Sequence, residues 1–124
     1  MVHHANIEKY KWEELMGRKF KNITEQYEYE YIQELKNNNE KAFAVKNNNY
    51  TSYMLILHRG EQLFYQEGTR AFICEISARY DFVITESIKR WDTGEKITEE
   101  EKENIRENIT KFFKDNYNTS VKFT

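Results

Sequence analysis

Cys74 and His58 are the side chains of this sequence with the chemistry of a nucleophile and a base. A thiol nucleophile needs an electropositive, partly open setting that holds its thiolate. Cys74 stands instead among Phe72, Ile73 and Ile76, inside an apolar run, where a cysteine serves as a small hydrophobe. His58 closes another apolar run just before a turn, Arg59-Gly60, and reads as a satisfied or solvated imidazole. His3 and His4 are adjacent, but a metal site needs three or four converging ligands, and spacing offers them no His or Cys partner. Glu61, Glu67, Glu75 and Glu86 supply carboxylates. Glycoside hydrolysis needs two across one cleft with one held weakly acidic, and abundance alone does not provide that. The four glycines are scattered and build neither a P-loop nor a dinucleotide fingerprint. The expectation is a non-enzymatic chain without catalytic residues, cofactor or metal.

Two features point to binding instead. Tyr27, Glu28, Tyr29, Glu30 and Tyr31 alternate aromatic and acidic side chains, and tyrosine is enriched among interface hot spots. Glu99, Glu100 and Glu103 belong to an acidic cluster that would steer a basic partner and raise its on-rate. These eight residues are the candidate partner-binding set. Each feature has a plainer reading: tyrosines packed in the core, and acids at a well-capped, solvated helix start.

The elements that position these residues follow from periodicity. The 124 residues suit one domain spanning 1–124, and no linker or repeat divides them. Ile7, Tyr10, Trp12, Leu15, Met16 and Phe20 have helical spacing, with Gly17 as an end or bend. From Thr24 to Lys36, Ile23, Tyr27, Tyr31 and Leu35 have helix period, while Tyr27, Tyr29 and Tyr31 also fit a strand. Helix is the preferred reading, with Thr24 as cap and Asn37 closing it in the left-handed region. Asn37–Asn39 and Asn47–Asn49 read as turns around a strand at Lys41–Lys46. Strands follow at Thr51–His58, Gln62–Gln66, Arg70–Ala78 and Tyr80–Thr85, with Ser87–Trp91 continuing or beginning another. Thr51–His58 is almost continuously apolar, as in a strand covered on both faces. Phe72, Cys74, Ile76 and Ala78 share one face. Thr98 and Glu101 form a capping box for a last helix striped with Ile105, Ile109, Phe112 and Phe113.

The fold class is therefore α+β: an antiparallel sheet of about five strands, with N-terminal helix or helices and a C-terminal amphipathic helix packed on one face. Trp91 should share the core with Ile105, Ile109 and Phe112. Ser120–Thr124 reads as a terminal edge strand, available to pair two chains into a homodimer or to accept a partner strand.

Bulk properties narrow the partners. The net charge is −2, with cations interleaved among glutamates, which argues against nucleic acid. No apolar run is long enough to span a bilayer. The polar start, Met1 to Lys11, lacks the apolar region of a secretory signal. A single cysteine forms no internal disulfide, and a cytoplasmic location is expected.

The last third carries a likeness. A strand, the step Ser87-Ile88-x-x-Trp91, a turn opened by Asp92, and Ile97-Thr98 with Glu101 lead into a helix striped by Ile105 and Ile109. This resembles the close of small bacterial immunity proteins, the nearest likeness being the immunity protein 74 family. The resemblance implies a non-enzymatic protein that binds one cognate toxin and occludes its active or substrate-binding surface. It transfers no functional residues, since such interfaces differ from pair to pair. The alternative is a small-ligand or regulatory module with an apolar pocket on the sheet.

Overall fold

Residues 20–38, 42–47 and 49–124 are described in the structure, a computed structural model. The helical reading of Ile7 to Gly17, and the pair His3 and His4, lie outside them.

Helix α1 runs from Ile23 to Asn37. Its cap is Asn22, not Thr24: Asn22 stays extended, and its side chain accepts the Glu25 N–H at 2.9 Å. Thr24 falls inside the first turn. Asn37 is the last helical residue, and Asn38 follows at φ −134°, donating its N–H to Leu35 O. The end is thus closed by a tightened turn rather than a left-handed residue. Helix period prevails over strand period because Tyr29 and Ile32 bury together, with Tyr31 and Leu35 half-buried beside them.

Among the described residues six strands follow in one sheet: β1 Phe43–Lys46, β2 Thr51–Leu57, β3 Gln62–Glu67, β4 Arg70–Ser77, β5 Phe82–Val83 and β6 Lys122–Phe123. They lie side by side in chain order. All neighbours are antiparallel except β5 and β6, which run parallel. The terminal edge strand expected at Ser120–Thr124 is therefore present but shorter and parallel to its neighbour. Strand pairing beyond Val83 is also less than expected. Thr85–Ser87 forms a single 3-10 turn, and Arg90 makes one isolated bridge to Lys96. The Ser87 hydroxyl explains the stop: it accepts the Glu75 N–H at 2.8 Å and donates to Ile84 O at 2.6 Å, so the chain turns there.

β2 ends at Leu57 because His58, Arg59 and Gly60 all have positive φ, at 49°, 57° and 94°. Gly60 is required twice over. A Cβ on it would stand 2.9 Å from Ala78 Cβ, while its carbonyl accepts the Ala78 N–H at 2.9 Å. Gly68 has φ +59° but open space around it. Gly60→Ala is expected to destabilise by about 2–3 kcal/mol and Gly68→Ala by about 1 kcal/mol. Urea denaturation of the two variants measures the difference, which combines the steric overlap at Gly60 with its less favourable φ.

Helix α2, Glu99–Tyr117, opens on the expected capping box of Thr98 and Glu101 and closes on Asn118 at φ 51°. Its Ile105, Ile109, Phe112 and Phe113 bury against Met54, Leu63, Tyr65, Phe72, Cys74 and Ile76, with Trp91 in the same core, as expected. Asn108 anchors it further, donating to the Tyr65 hydroxyl at 2.9 Å and the Tyr50 hydroxyl at 3.0 Å. The Tyr65 hydroxyl in turn donates to Glu67 at 2.9 Å.

α1 and α2 do not share a face. Leu57, Phe64, Ala71 and Ile73 form a second cluster with Ile32 of α1. Leu63, Phe64 and Tyr65 are consecutive and all buried, so β3 presents apolar side chains both ways and needs cover on both. α2 supplies one layer and α1 the other.

Candidate functional site

α1 has little apolar surface with which to hold its place: Tyr29 and Ile32 are its buried apolar residues. A polar tie supplements them. Asp92 Oδ2 accepts from Gln33 Nε2 at 2.9 Å and from Lys36 Nζ at 2.8 Å. Its Oδ1 accepts the Ala71 N–H at 3.0 Å, and its own N–H donates to Ala71 O at 2.8 Å. Lys36 Nζ also reaches Thr69 O at 2.6 Å. Burial alone would raise the Asp92 carboxyl. The hydrogen bonds from Lys36, Gln33 and the Ala71 amide, with the Lys36 charge, outweigh it and hold the group below its ordinary range.

The preceding residue serves the opposite layer. Trp91 packs edge-on to Phe72 at 5.6 Å, with the Arg70 guanidinium 4.3 Å from its ring centre. Its indole N–H donates to Glu101 Oε2 at 3.3 Å, and that oxygen pairs with Arg70 at 2.8 Å. Glu101 Oε1 accepts the Thr98 N–H at 2.9 Å. Partial burial would raise the Glu101 carboxyl, but the Thr98 amide, the Trp91 indole and Arg70 together lower it. Trp91 and Asp92 therefore fasten α2 and α1 to one end of the sheet from adjacent positions.

Between α1 and the far edge of β4 lies a groove of about 590 Å³. Lys21, Glu25 and Glu28 line one wall, and Glu75, Lys89 and Arg90 line the other. Gln62 and Glu75 also border a second hollow of about 530 Å³, together with His58 and Glu61. Both walls mix charges of both signs. Such a lining offers hydrogen bonds and charges of both signs rather than an apolar wall.

The expected binding residues divide between the two layers. Tyr27 is 53% exposed, and Glu28 faces the groove. Tyr29 is buried, its ring 5.3 Å from that of Phe20. Glu30 is half-buried, as is Tyr31, whose ring lies 6.1 Å from His58. Glu99, Glu100 and Glu103 are exposed on α2, with Glu99 paired to Lys102 and Glu103 to Arg106. Because α1 and α2 cover opposite faces of the sheet, the tyrosine run and the acidic cluster are not brought together. Apart from Glu28, the charged residues of the groove walls were not among the expected binding residues. Lys21, Lys89 and Arg90 carry no motif, and Asp92 stood out only as the start of a turn.

Cys74 lies in the core on the α2 side, whereas His58 is exposed at the β2–β3 hairpin beside α1. Burial pushes the Cys74 thiol up to about 12, so it carries no thiolate at neutral pH. Among the described residues no group of three or more His, Cys, Asp or Glu is placed to hold a metal ion. No helix among them is long and apolar enough to cross a membrane. No protein-family model matches this chain, and no curated protein or solved structure does.

Proposed function

We propose that this chain is a non-enzymatic immunity protein that binds a cognate bacterial toxin and neutralises it by occluding its active or substrate-binding surface. One observation carries the reading. Ile23, Tyr27, Glu30 and Glu34 recur at spacings of four, three and four residues, so they form one stripe along α1. Ile23 is 55% exposed and Tyr27 53%. Two apolar anchors flanked by two carboxylates on a rigid helix suit a partner surface that is basic around an apolar pocket. A toxin that grips an anionic substrate presents such a surface, and covering it would block the substrate's approach. The likeness of the last third of the chain to bacterial immunity proteins supports the same reading.

The test is affinity capture from a lysate of the source organism, followed by an activity assay of whatever toxin is recovered. One near-stoichiometric partner whose activity is suppressed by the chain is the expected result. Tyr27→Ala should weaken that complex by about 2 kcal/mol, roughly 30-fold in Kd, without changing the circular dichroism of the free protein. Recovery of no partner would remove the immunity reading. Equal affinity of Tyr27→Ala and the unaltered chain would remove α1 from the interface.

A further inference from the structure

β1 is an outer strand of the sheet, paired with β2 along one edge. The phase of that pairing is set at the turn, where Asn47 N–H donates to Tyr50 O at 2.8 Å. By the alternation of an antiparallel ladder, Phe43 and Val45 then direct their backbone groups at β2. The Ser52 hydroxyl, which donates to Val45 O at 3.4 Å, agrees with that phase. Ala44 and Lys46 therefore direct theirs outward, and both residues are exposed. Among the described residues one group meets them: Lys111 Nζ, which donates to Lys46 O at 3.3 Å. The Ala44 N–H, the Ala44 carbonyl and the Lys46 N–H have no protein partner there. Such groups take their hydrogen bonds from water or from another strand.

Two kinds of side chain border this edge. On the α2 side Phe43 is 42% exposed and Tyr117 45%. Their rings lie 6.3 Å apart, and both pack on Phe112. They form an aromatic ledge at the Phe43 end of the strand. At the other end stand Lys46 and Lys111, both exposed. Among the described residues no carboxylate pairs with either. A second copy of the strand, added across a two-fold axis, would bring its own Lys46 and Lys111 to the same seam. Like charges oppose that pairing. The same cations favour a strand that carries carboxylates.

We propose that the β1 edge receives an extended acidic segment of a protein partner, added as a further strand beside Phe43–Lys46. The surface is separate from the α1 stripe, and the inference does not require the partner to be a toxin. Ala44 donates its N–H to the segment and accepts an N–H from it. Two residues along, the Lys46 N–H donates to the segment, and the Lys46 carbonyl accepts a segment N–H in place of Lys111. The Lys111 ammonium is thereby freed for a carboxylate on the α2 side, while the Lys46 ammonium meets one on the opposite side. An apolar side chain at the other end covers Phe43 and Tyr117. The edge measures roughly 13 Å at about 3.3 Å per residue, enough for about four residues of the partner.

Amide exchange of the intact ¹⁵N-labelled chain, followed by NMR, tests the open edge. The Ala44 and Lys46 N–H groups are expected to exchange about 100-fold faster than those of Val45 and Ser52. Equal protection of the four would overturn the proposal. The probe for the occupant is a displayed library of random linear heptapeptides, selected on the intact chain and re-tested as free peptides. Enriched peptides should carry Asp or Glu with an apolar residue, shift the Ala44 and Lys46 amides, and slow their exchange about 10-fold. Lys46→Glu combined with Lys111→Glu should weaken those peptides by about 10-fold or more. Both side chains are exposed, so the urea midpoint of this variant should stay close to that of the unaltered chain. Methylating the peptide nitrogen that donates to Ala44 O should weaken binding by a similar factor, which contact through side chains alone would not produce. Enrichment of nothing, of basic peptides, or of peptides that shift only residues outside β1 would overturn the proposal. So would unchanged peptide affinity in the doubly reversed variant. A dimer of the free chain with Ala44 protected would assign the edge to a second copy and overturn it as well.

Discussion

Trp91→Ala is expected to destabilise the protein by about 3–5 kcal/mol, the range for deleting a fully buried large aromatic side chain. Trp91 is 1% exposed and touches both the sheet and the start of α2. Its removal leaves a cavity beside the stacked rings of Phe72 and Tyr65, since its ring centre lies 5.6 Å from the first and 6.4 Å from the second. It also strips Arg70 of an aromatic face that contributes about 0.5–1 kcal/mol at a partly exposed site. Glu101 loses the indole donor but keeps Arg70 and the Thr98 amide, so the α2 cap survives. The loss therefore comes mainly from packing. Trp91→Phe restores most of the ring volume and should recover more than half of the lost stability. Urea denaturation at neutral pH measures both variants. A change below about 1 kcal/mol for Trp91→Ala would contradict the burial of this ring.

Asp92→Ala should cost about 2–4 kcal/mol, for a different reason. The substitution leaves the Ala71 N–H without its acceptor and Lys36 with Thr69 O alone. Lys36 retains some access to water, which keeps the figure below that of a wholly enclosed ion pair. The pH dependence separates this effect from packing. The folded-state pKa of Asp92 is lowered, so the unfolded chain takes up the proton first as acid is added. Its stabilisation is complete above the unfolded carboxylate value of about 3.9 and is lost as pH falls through the lower folded value. Asp92→Asn, which carries no titrating group there, should therefore lose less stability between neutral pH and pH 3 than the unaltered chain. Glu101 is shifted the same way, so some acid sensitivity persists in that variant. Urea midpoints at pH 7, 4 and 3 provide the comparison. Parallel decline of the two proteins would mean that Asp92 titrates alike in both states. Because Asp92 ties α1 to β4, Asp92→Ala should also increase amide exchange along Ile23–Asn37 more than along α2.

Much of the secondary structure was legible in the residues themselves. The Thr98–Glu101 box, the isoleucine and phenylalanine stripe of α2, and the one-sided run of Phe72, Cys74 and Ile76 all depend on bonds or spacings within a few residues. A periodicity states such relations directly. The double reading of Tyr27 to Tyr31 was decided by burial: Ile32 found apolar partners in Phe64 and Ile73, with Tyr31 and Leu35 packed beside it, a grouping that a helix presents together. The site was not legible. Gln33 and Asp92 stand 59 residues apart and meet because β4 lies between the segments that carry them. The groove beside β4 is more remote from pattern still. It exists because Lys89 and Trp91 pair with Ile97 and Glu95 instead of with β4. Local hydrogen bonds and side-chain period thus determined which segments are helix and which are strand. The cover of opposite faces by α1 and α2, and the groove beside β4, were decided by long-range packing. Apolar side chains that emerge on both faces of β3 and β4 must each be buried, and no single-residue preference specifies by what.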